Sequence, residues 1–135
     1  MTEKPTGEEF PIVMGKLFEH MKGQTIKENL IEFAKSVNTL CFEYPDLGKS
    51  FYLTVSPEGE LIQSAEAPEK VDCTVSMSTD TNHSIMMGET TQVKAFMTGK
   101  LKIRGINPMK LQQILPKLGP LDEYYKKALD EVRGS

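Results

Sequence analysis

Leu40-Cys41-Phe42-Glu43-Tyr44, Asp46-Leu47-Gly48-Lys49 and Ser50-Phe51-Tyr52-Leu53-Thr54-Val55 together decide the class of fold. Leu40, Phe42 and Tyr44 alternate with Cys41 and Glu43, and Phe51, Leu53 and Val55 alternate again. A period of two is the spacing of strands with one buried face. Asp46 to Lys49 supplies the turn between them, and Ser56-Pro57-Glu58-Gly59 supplies the next, each rich in residues that stabilise turns. Glu60 to Glu66 can then return as a third strand, and Ala67 to Lys70 turns once more. Beyond it Val71, Cys73, Val75 and Met77 face one way while Asp72, Thr74, Ser76 and Ser78 face the other. Strands joined by such short turns are expected to pair antiparallel, because parallel neighbours need a long crossover.

On either side of these strands the period lengthens. Phe10, Val13, Met14, Leu17, Phe18 and Met21 recur at the i, i+3, i+4 spacing of one helix face. Pro11 is tolerated only in a first turn, so this helix starts near residues 8–11, and Gly23 is its expected stop. Thr25 followed by Glu28 reads as a capping box for a second helix carrying Ile26, Leu30, Phe33 and Val37 on one stripe. After Ser78 a helix bearing Ile85, Met86 and Met87 ends at Gly88, and Thr91 to Thr98 forms a shorter one with Val93, Phe96 and Met97. Lys100-Leu101-Lys102-Ile103-Arg104-Gly105 is a strand with Leu101 and Ile103 inward and its cations outward. Asn107 caps and Pro108 opens the next helix, which bears Met109, Leu111, Ile114, Leu115 and Leu118 and is limited by Pro116. A last helix puts Leu121, Tyr124, Tyr125, Ala128, Leu129 and Val132 on one stripe. The order αα-ββββ-αα-β-αα is that of an α+β fold with a mostly antiparallel sheet. We expect a single domain over residues 1–135, with a flexible tail at 1–9 and an additional C-terminal helix at 120–133.

Composition narrows the function. The 135 residues carry 16 basic and 19 acidic side chains, a net charge of -3, which argues against a nucleic-acid partner because phosphates call for a basic face. No run of apolar residues is long enough to span a bilayer. Met1-Thr2-Glu3-Lys4-Pro5 lacks the apolar core of an export signal. Two cysteines, Cys41 and Cys73, are too few for a disulfide-stapled scaffold. A cytoplasmic location is therefore expected. Eight methionines with no tryptophan are unusual; methionine fills irregular core gaps and also lines surfaces that accept varied apolar shapes.

Catalytic parts are scarce. His20 and His83 lie apart, without the spacing of metal ligands, so neither a metal site nor a catalytic residue is assigned. Asp80 and His83 could form a dyad on one helical turn. The simpler reading is an acidic residue favoured by a helix N-terminus beside a solvated histidine. No nucleophile elbow, phosphate loop or dinucleotide fingerprint appears.

Three blocks then carry a resemblance: Val71-Asp72-Cys73-Thr74-Val75-Ser76-Met77, Met87-Gly88, and Ala95-Phe96-Met97-Thr98-Gly99-Lys100-Leu101-Lys102-Ile103-Arg104-Gly105. In order and spacing, over roughly residues 10–118, the chain resembles the sterol carrier protein family, in its type-two, nonspecific lipid-transfer branch. The resemblance implies a five-stranded, mostly antiparallel sheet covered on one face by helices, with an apolar tunnel between the layers. It implies an intracellular lipid-binding or carrier protein, not an enzyme, holding a fatty-acyl or sterol-like ligand. No cofactor is implied beyond a bound lipid or fatty acid. The alternative is a non-catalytic accessory module that presents an apolar substrate, such as a quinone or acyl-CoA, to a partner enzyme.

Under that resemblance the lipid-binding residues are expected to be Phe33, Leu53, Val75, Met77, Ile85, Met86, Phe96, Leu101, Ile103, Met109 and Leu115. Asn82 and His83 stand where relatives commonly place apolar residues. At a tunnel mouth they would offer hydrogen bonds to a headgroup; facing water they would have no such role. Burying about sixteen methylenes at ~0.8 kcal/mol each offers on the order of 12 kcal/mol. Association costs of ~4–15 kcal/mol take back much of that, so micromolar, shape-tolerant binding is expected. Transient membrane contact fits such a carrier. The stripe on the 121–132 helix has three candidate uses: a lid, part of the core, or a homodimer contact. The chain closes Arg133-Gly134-Ser135 and not in a Ser-Lys-Leu peroxisomal signal.

Overall fold

Residues 3–134 are described by the computed structural model. Met1 and Thr2 of the expected tail, and Ser135 at the close, lie outside the described residues. The elements follow the expected order: α1 (Glu9–Gln24), α2 (Lys27–Ala34), β1 (Thr39–Tyr44), β2 (Lys49–Val55), β3 (Leu61–Ser64) and β4 (Cys73–Met77). Then come α3 (Thr79–Met86), α4 (Gln92–Met97), β5 (Leu101–Arg104), α5 (Pro108–Ile114), a 3-10 helix (Leu115–Leu118) and α6 (Leu121–Val132).

The helix ends differ from expectation in instructive ways. The reciprocal capping pair forms at the first helix, not the second. Thr6 N–H donates to Glu9 Oε1 at 2.9 Å and Glu9 N–H donates to Thr6 Oγ1 at 3.1 Å. The residues before α1, expected as a flexible tail, are held by contacts. Pro5 is buried, Lys4 pairs with Asp80 at 2.9 Å, and Arg133 donates to the Lys4 carbonyl at 3.3 Å. Gly23 does not stop α1, which continues through Gln24. At the second helix Thr25 makes no cap; its hydroxyl donates to the Leu118 carbonyl at 2.8 Å, and Ile26, expected on the buried stripe, is exposed. The hydroxyl is spent as a donor to a distant carbonyl and accepts from no N–H in the first turn of α2. Asn107 behaves as expected, its side chain accepting from Met109 N–H at 2.8 Å with Pro108 in the first turn.

The sheet order is β3-β2-β1-β4-β5. β1 with β2, β2 with β3, and β4 with β5 pair antiparallel, as the short turns predict. The fourth strand departs: it does not continue the meander beside β3 but lies parallel to β1 on its other side. The requirement for a long crossover is still met, since the whole β2–β3 hairpin separates the two strands in sequence. Asp72 pins this pairing. Its carboxylate accepts from the N–H groups of Asn38 at 2.9 Å and Thr39 at 3.0 Å, while its own N–H donates to the Thr39 carbonyl at 3.0 Å. Gly105, at φ +90°, closes the far side; a Cβ there would run into the Asp72 carbonyl.

Helices cover one face of the sheet. Phe10, Val13, Met14, Leu17, Phe18 and Met21 of α1 are all buried. Phe10 packs edge-on to Tyr44 with centroids 4.6 Å apart, and Phe18 lies 5.9 Å from Phe42. The stripe of α6 takes the second of its three candidate uses. Tyr124, Tyr125, Ala128 and Leu129 are buried, and α6 packs chiefly on α1 and also on α3. His20 Nε2 meets Glu131 Oε1 at 2.6 Å across the α1–α6 contact. The apolar side of this helix is thus largely consumed within the chain.

Burial alone would raise the Asp72 carboxyl, but the N–H donors of Thr39 and Asn38 and the nearby Lys70 charge outweigh it and hold it below its ordinary value. Its stabilisation is therefore full above the ordinary carboxylate range and lost as pH falls through the lower, folded value. Replacing Asp72 by Ala strands two N–H donors and should cost about 2 kcal/mol. Urea denaturation at neutral pH should show this loss, and the gap to wild type should narrow in acid.

Candidate functional site

In-register rows of the sheet make the floor of a cavity. Phe42 of β1 faces Val75 of β4, which faces Ile103 of β5; one step along, Met77 faces Leu101. All five line the cavity, as does Tyr44 at the end of β1. Alternation at period two puts every one of these side chains on the helix-covered face. The roof and walls come from α1 (Met14, Leu17, Phe18, Met21), α3 (Asn82, Ile85, Met86), α4 (Gln92, Val93, Phe96) and α5 (Pro108, Met109, Leu111, Gln112), closed by Leu115 and Leu121. None of these lining residues is charged. The volume is about 150 Å³. Taking about 30 Å³ as the share of one water-sized group, it holds roughly five.

One end of the cavity is deep and the other meets solvent. Met109 is 71% exposed, and Val93 and Phe96 are 43% and 42% exposed, so an apolar rim surrounds the opening. At the deep side α3 is anchored by its first turn. Asp46 accepts from the N–H of Thr79 at 3.1 Å and from its hydroxyl at 2.6 Å, while Ser78 Oγ accepts from Thr81 N–H at 3.1 Å. One turn on, Asn82 is 1% exposed and its Oδ1 accepts from Tyr44 Oη at 3.2 Å. Burial pushes the Tyr44 phenol far above its ordinary value, so it stays a donor.

The structure therefore puts Val75, Met77, Ile85, Met86, Phe96, Leu101, Ile103, Met109 and Leu115 on one cavity wall. Phe33 and Leu53 are placed elsewhere. Both are fully buried, in the part of the core that α2 and β2 close, and neither reaches the cavity. The reason for Leu53 is its row: it pairs with Leu40, not with Phe42, and so sits one step away from the floor. Asn82 lines the cavity, but on its buried side and not at the mouth. His83 does not line it. It is buried, its Nδ1 2.7 Å from Tyr125 Oη, which also corrects the picture of a solvated histidine. Asp80 pairs with Lys4 at 2.9 Å. Sequence reasoning passed over the α1 wall, including Met14 and Met21, because a regular amphipathic helix reads as core whether or not a gap lies beneath it.

The cysteines stand on opposite faces of the sheet: Cys73 shares a row with Leu40, and Cys41 with Thr74. Among the described residues, no group of three or more His, Cys, Asp or Glu comes together as a metal site would need. No described helix is long and apolar enough to cross a membrane.

The sequence profile of the SCP-2 sterol transfer family matches residues 18–116, most of the chain and most of the cavity wall. The chain belongs to the SCP-2 family. Among solved structures, the sterol carrier protein domain 2 of Helicoverpa armigera is similar at 24% identity and TM-score 0.56, covering 94% of each chain. A UbiJ-SCP2 ubiquinone synthesis protein is similar at 16% identity and TM-score 0.59, over 90% of this chain and 98% of that one. The sec-alkylsulfatase Pisa1 from Pseudomonas sp. matches at 22% identity and TM-score 0.57 over 72% of this chain. There the SCP-2-like chain spans 15% of the sulfatase's length. At these identities the likeness is one of fold. None of the curated proteins matches the chain in sequence. The profile begins inside α1 and ends in the 3-10 helix, leaving α6 and its Leu121 outside the SCP-2 match.

Burial pushes the Cys73 thiol up to about 11 and raises Cys41 as well. Near pH 8 both should resist a thiol-reactive disulfide in the native protein and react at once in denaturant, which absorbance titration of the released thiol reads directly.

Proposed function

We propose that this SCP-2 domain is a non-catalytic lipid carrier that acts inside the cell and holds a fatty-acyl or sterol-like ligand in the cavity between sheet and helices. The observation that carries the reading is the wall itself: more than twenty side chains, none charged, enclosing a cavity of about 150 Å³ that opens through an apolar rim. An apolar wall of this kind holds hydrocarbon by area and discriminates weakly between chains differing by a methylene. With room for roughly five water-sized groups, it takes part of a long acyl chain. The remainder passes out between Val93, Phe96 and Met109. Met14, Met21, Met77, Met86 and Met109 all border the space, and their flexible thioethers let it adjust to ligands of different outline. The exposed rim is the surface that would touch a membrane as ligand passes. Val75, Met77, Ile85, Met86, Phe96, Leu101, Ile103, Met109 and Leu115 are the proposed ligand contacts.

A second role has support in the rim and in the company this fold keeps. Met97, 78% exposed, stands beside Phe96 on α4, and similar structures include a ubiquinone synthesis protein and a segment of an alkylsulfatase. In that reading the same cavity presents its ligand to a partner enzyme.

Native mass spectrometry of the purified chain, followed by denaturing extraction, tests the shared premise. A discrete added mass that extracts as a lipid is expected, whereas a chain that carries none and refuses fatty-acid loading would sink both roles. Met77, half-buried on the floor, is the residue to fill the space: Met77→Trp should weaken binding of a fluorescent fatty-acyl probe about tenfold, roughly 1.4 kcal/mol, with little change in the urea midpoint.

A further inference from the structure

Asn82 is the odd member of the cavity wall. Its side chain is buried, with 1% exposure, whereas the other two amides on the wall, Gln92 and Gln112, are half-buried and exposed. Its Oδ1 is committed to Tyr44, but its Nδ2 has no hydrogen-bond partner among the described residues. Tyr44 sets which end of the amide faces the cavity. The phenol is buried and protonated, so it has one hydrogen to place, and Asn82 Oδ1 is the acceptor beside it. That leaves the NH2 group turned toward the ligand space. A buried donor without a partner is destabilising, and native proteins keep few of them. An ordered water would need two to four polar partners of its own, and besides Asn82 only Tyr44, Gln92 and Gln112 among the lining side chains are polar.

We propose that Asn82 Nδ2 donates a hydrogen bond to a neutral acceptor oxygen, of the ketone, ester or quinone carbonyl type, on the inward end of the bound lipid. This rests on the lipid-carrier reading and adds the ligand's chemical class and direction. A donor amide selects an acceptor. The absence of any cation among the lining residues selects a neutral one, since a carboxylate there would be a buried anion with no countercharge. The hydrocarbon then runs toward the exposed rim at Val93, Phe96 and Met109. A free fatty acid would bind the other way round, tail inward and carboxylate at the opening.

The test compares methyl decyl ketone with its isosteric alkene, in which a methylene replaces the oxygen, each displacing a fluorescent acyl probe from wild type and from Asn82→Leu. The ratio of the two affinities cancels the difference in their hydration between the proteins. Wild type should favour the ketone, relative to the variant, by about tenfold. An unchanged ratio overturns the role of Asn82 while leaving the carrier intact; failure of both probes to displace in wild type overturns the carrier reading and the inference with it. Because Asn82→Leu also removes the acceptor of Tyr44, a second measurement uses wild type alone. The carbonyl stretch of the bound ketone should fall below its position in hexadecane, and an unshifted band overturns the hydrogen bond.

Discussion

The parallel pairing of β4 with β1 is the constraint on which the rest of the structure depends. It inserts Val75 between Phe42 and Ile103 and Met77 opposite Leu101, so three strands present one continuous apolar floor. Had β4 continued the meander beside β3, the same side chains would lie at the far edge, away from the α1 face that covers Phe42 and Tyr44. The pairing rests on few atoms. Asp72 accepts two backbone N–H groups at the start of β1, and Gly105 lets the end of β5 approach the Asp72 carbonyl with no Cβ between them.

A cavity persists over that floor because its roof is assembled from separate short helices. At the closed end α1 packs its aromatic residues directly on the sheet, and α6 clasps α1 through its buried stripe. Over the rest of the floor α3, α4 and α5 are each eight residues or fewer, too short to lay a continuous ridge across the strands. Native packing is otherwise dense, so the gap they leave, framed by methionines, is a specific feature. The polar groups nearby divide into two sets. His83 and Tyr125 pair with each other behind the wall, while Tyr44 holds Asn82 on it.

Much of this was legible in the chain. Each expected helix and strand appeared in order, and most of the residues expected to bind lipid border the cavity. Period-two patterning on β4 and β5 identifies inward residues because a sheet side chain's face depends only on parity. The misreadings share one cause. Thr25 and His83 were read from their local surroundings and Leu53 from the family resemblance, and each is claimed by something distant in sequence: Leu118, Tyr125 and the Leu40 row.

The sequence by itself determined the α+β class, the strand faces, the Asn107 cap and membership in a lipid-carrier-like family, because those depend on local periodicity and on short motifs. It took the folded chain to establish that β4 crosses to lie parallel to β1, that α6 is spent on α1, and that Asn82 rather than His83 lines the cavity. Those depend on which distant groups satisfy each other's hydrogen bonds and buried area, and two residues adjacent on a helix differ there by the 100° or so that separates their directions.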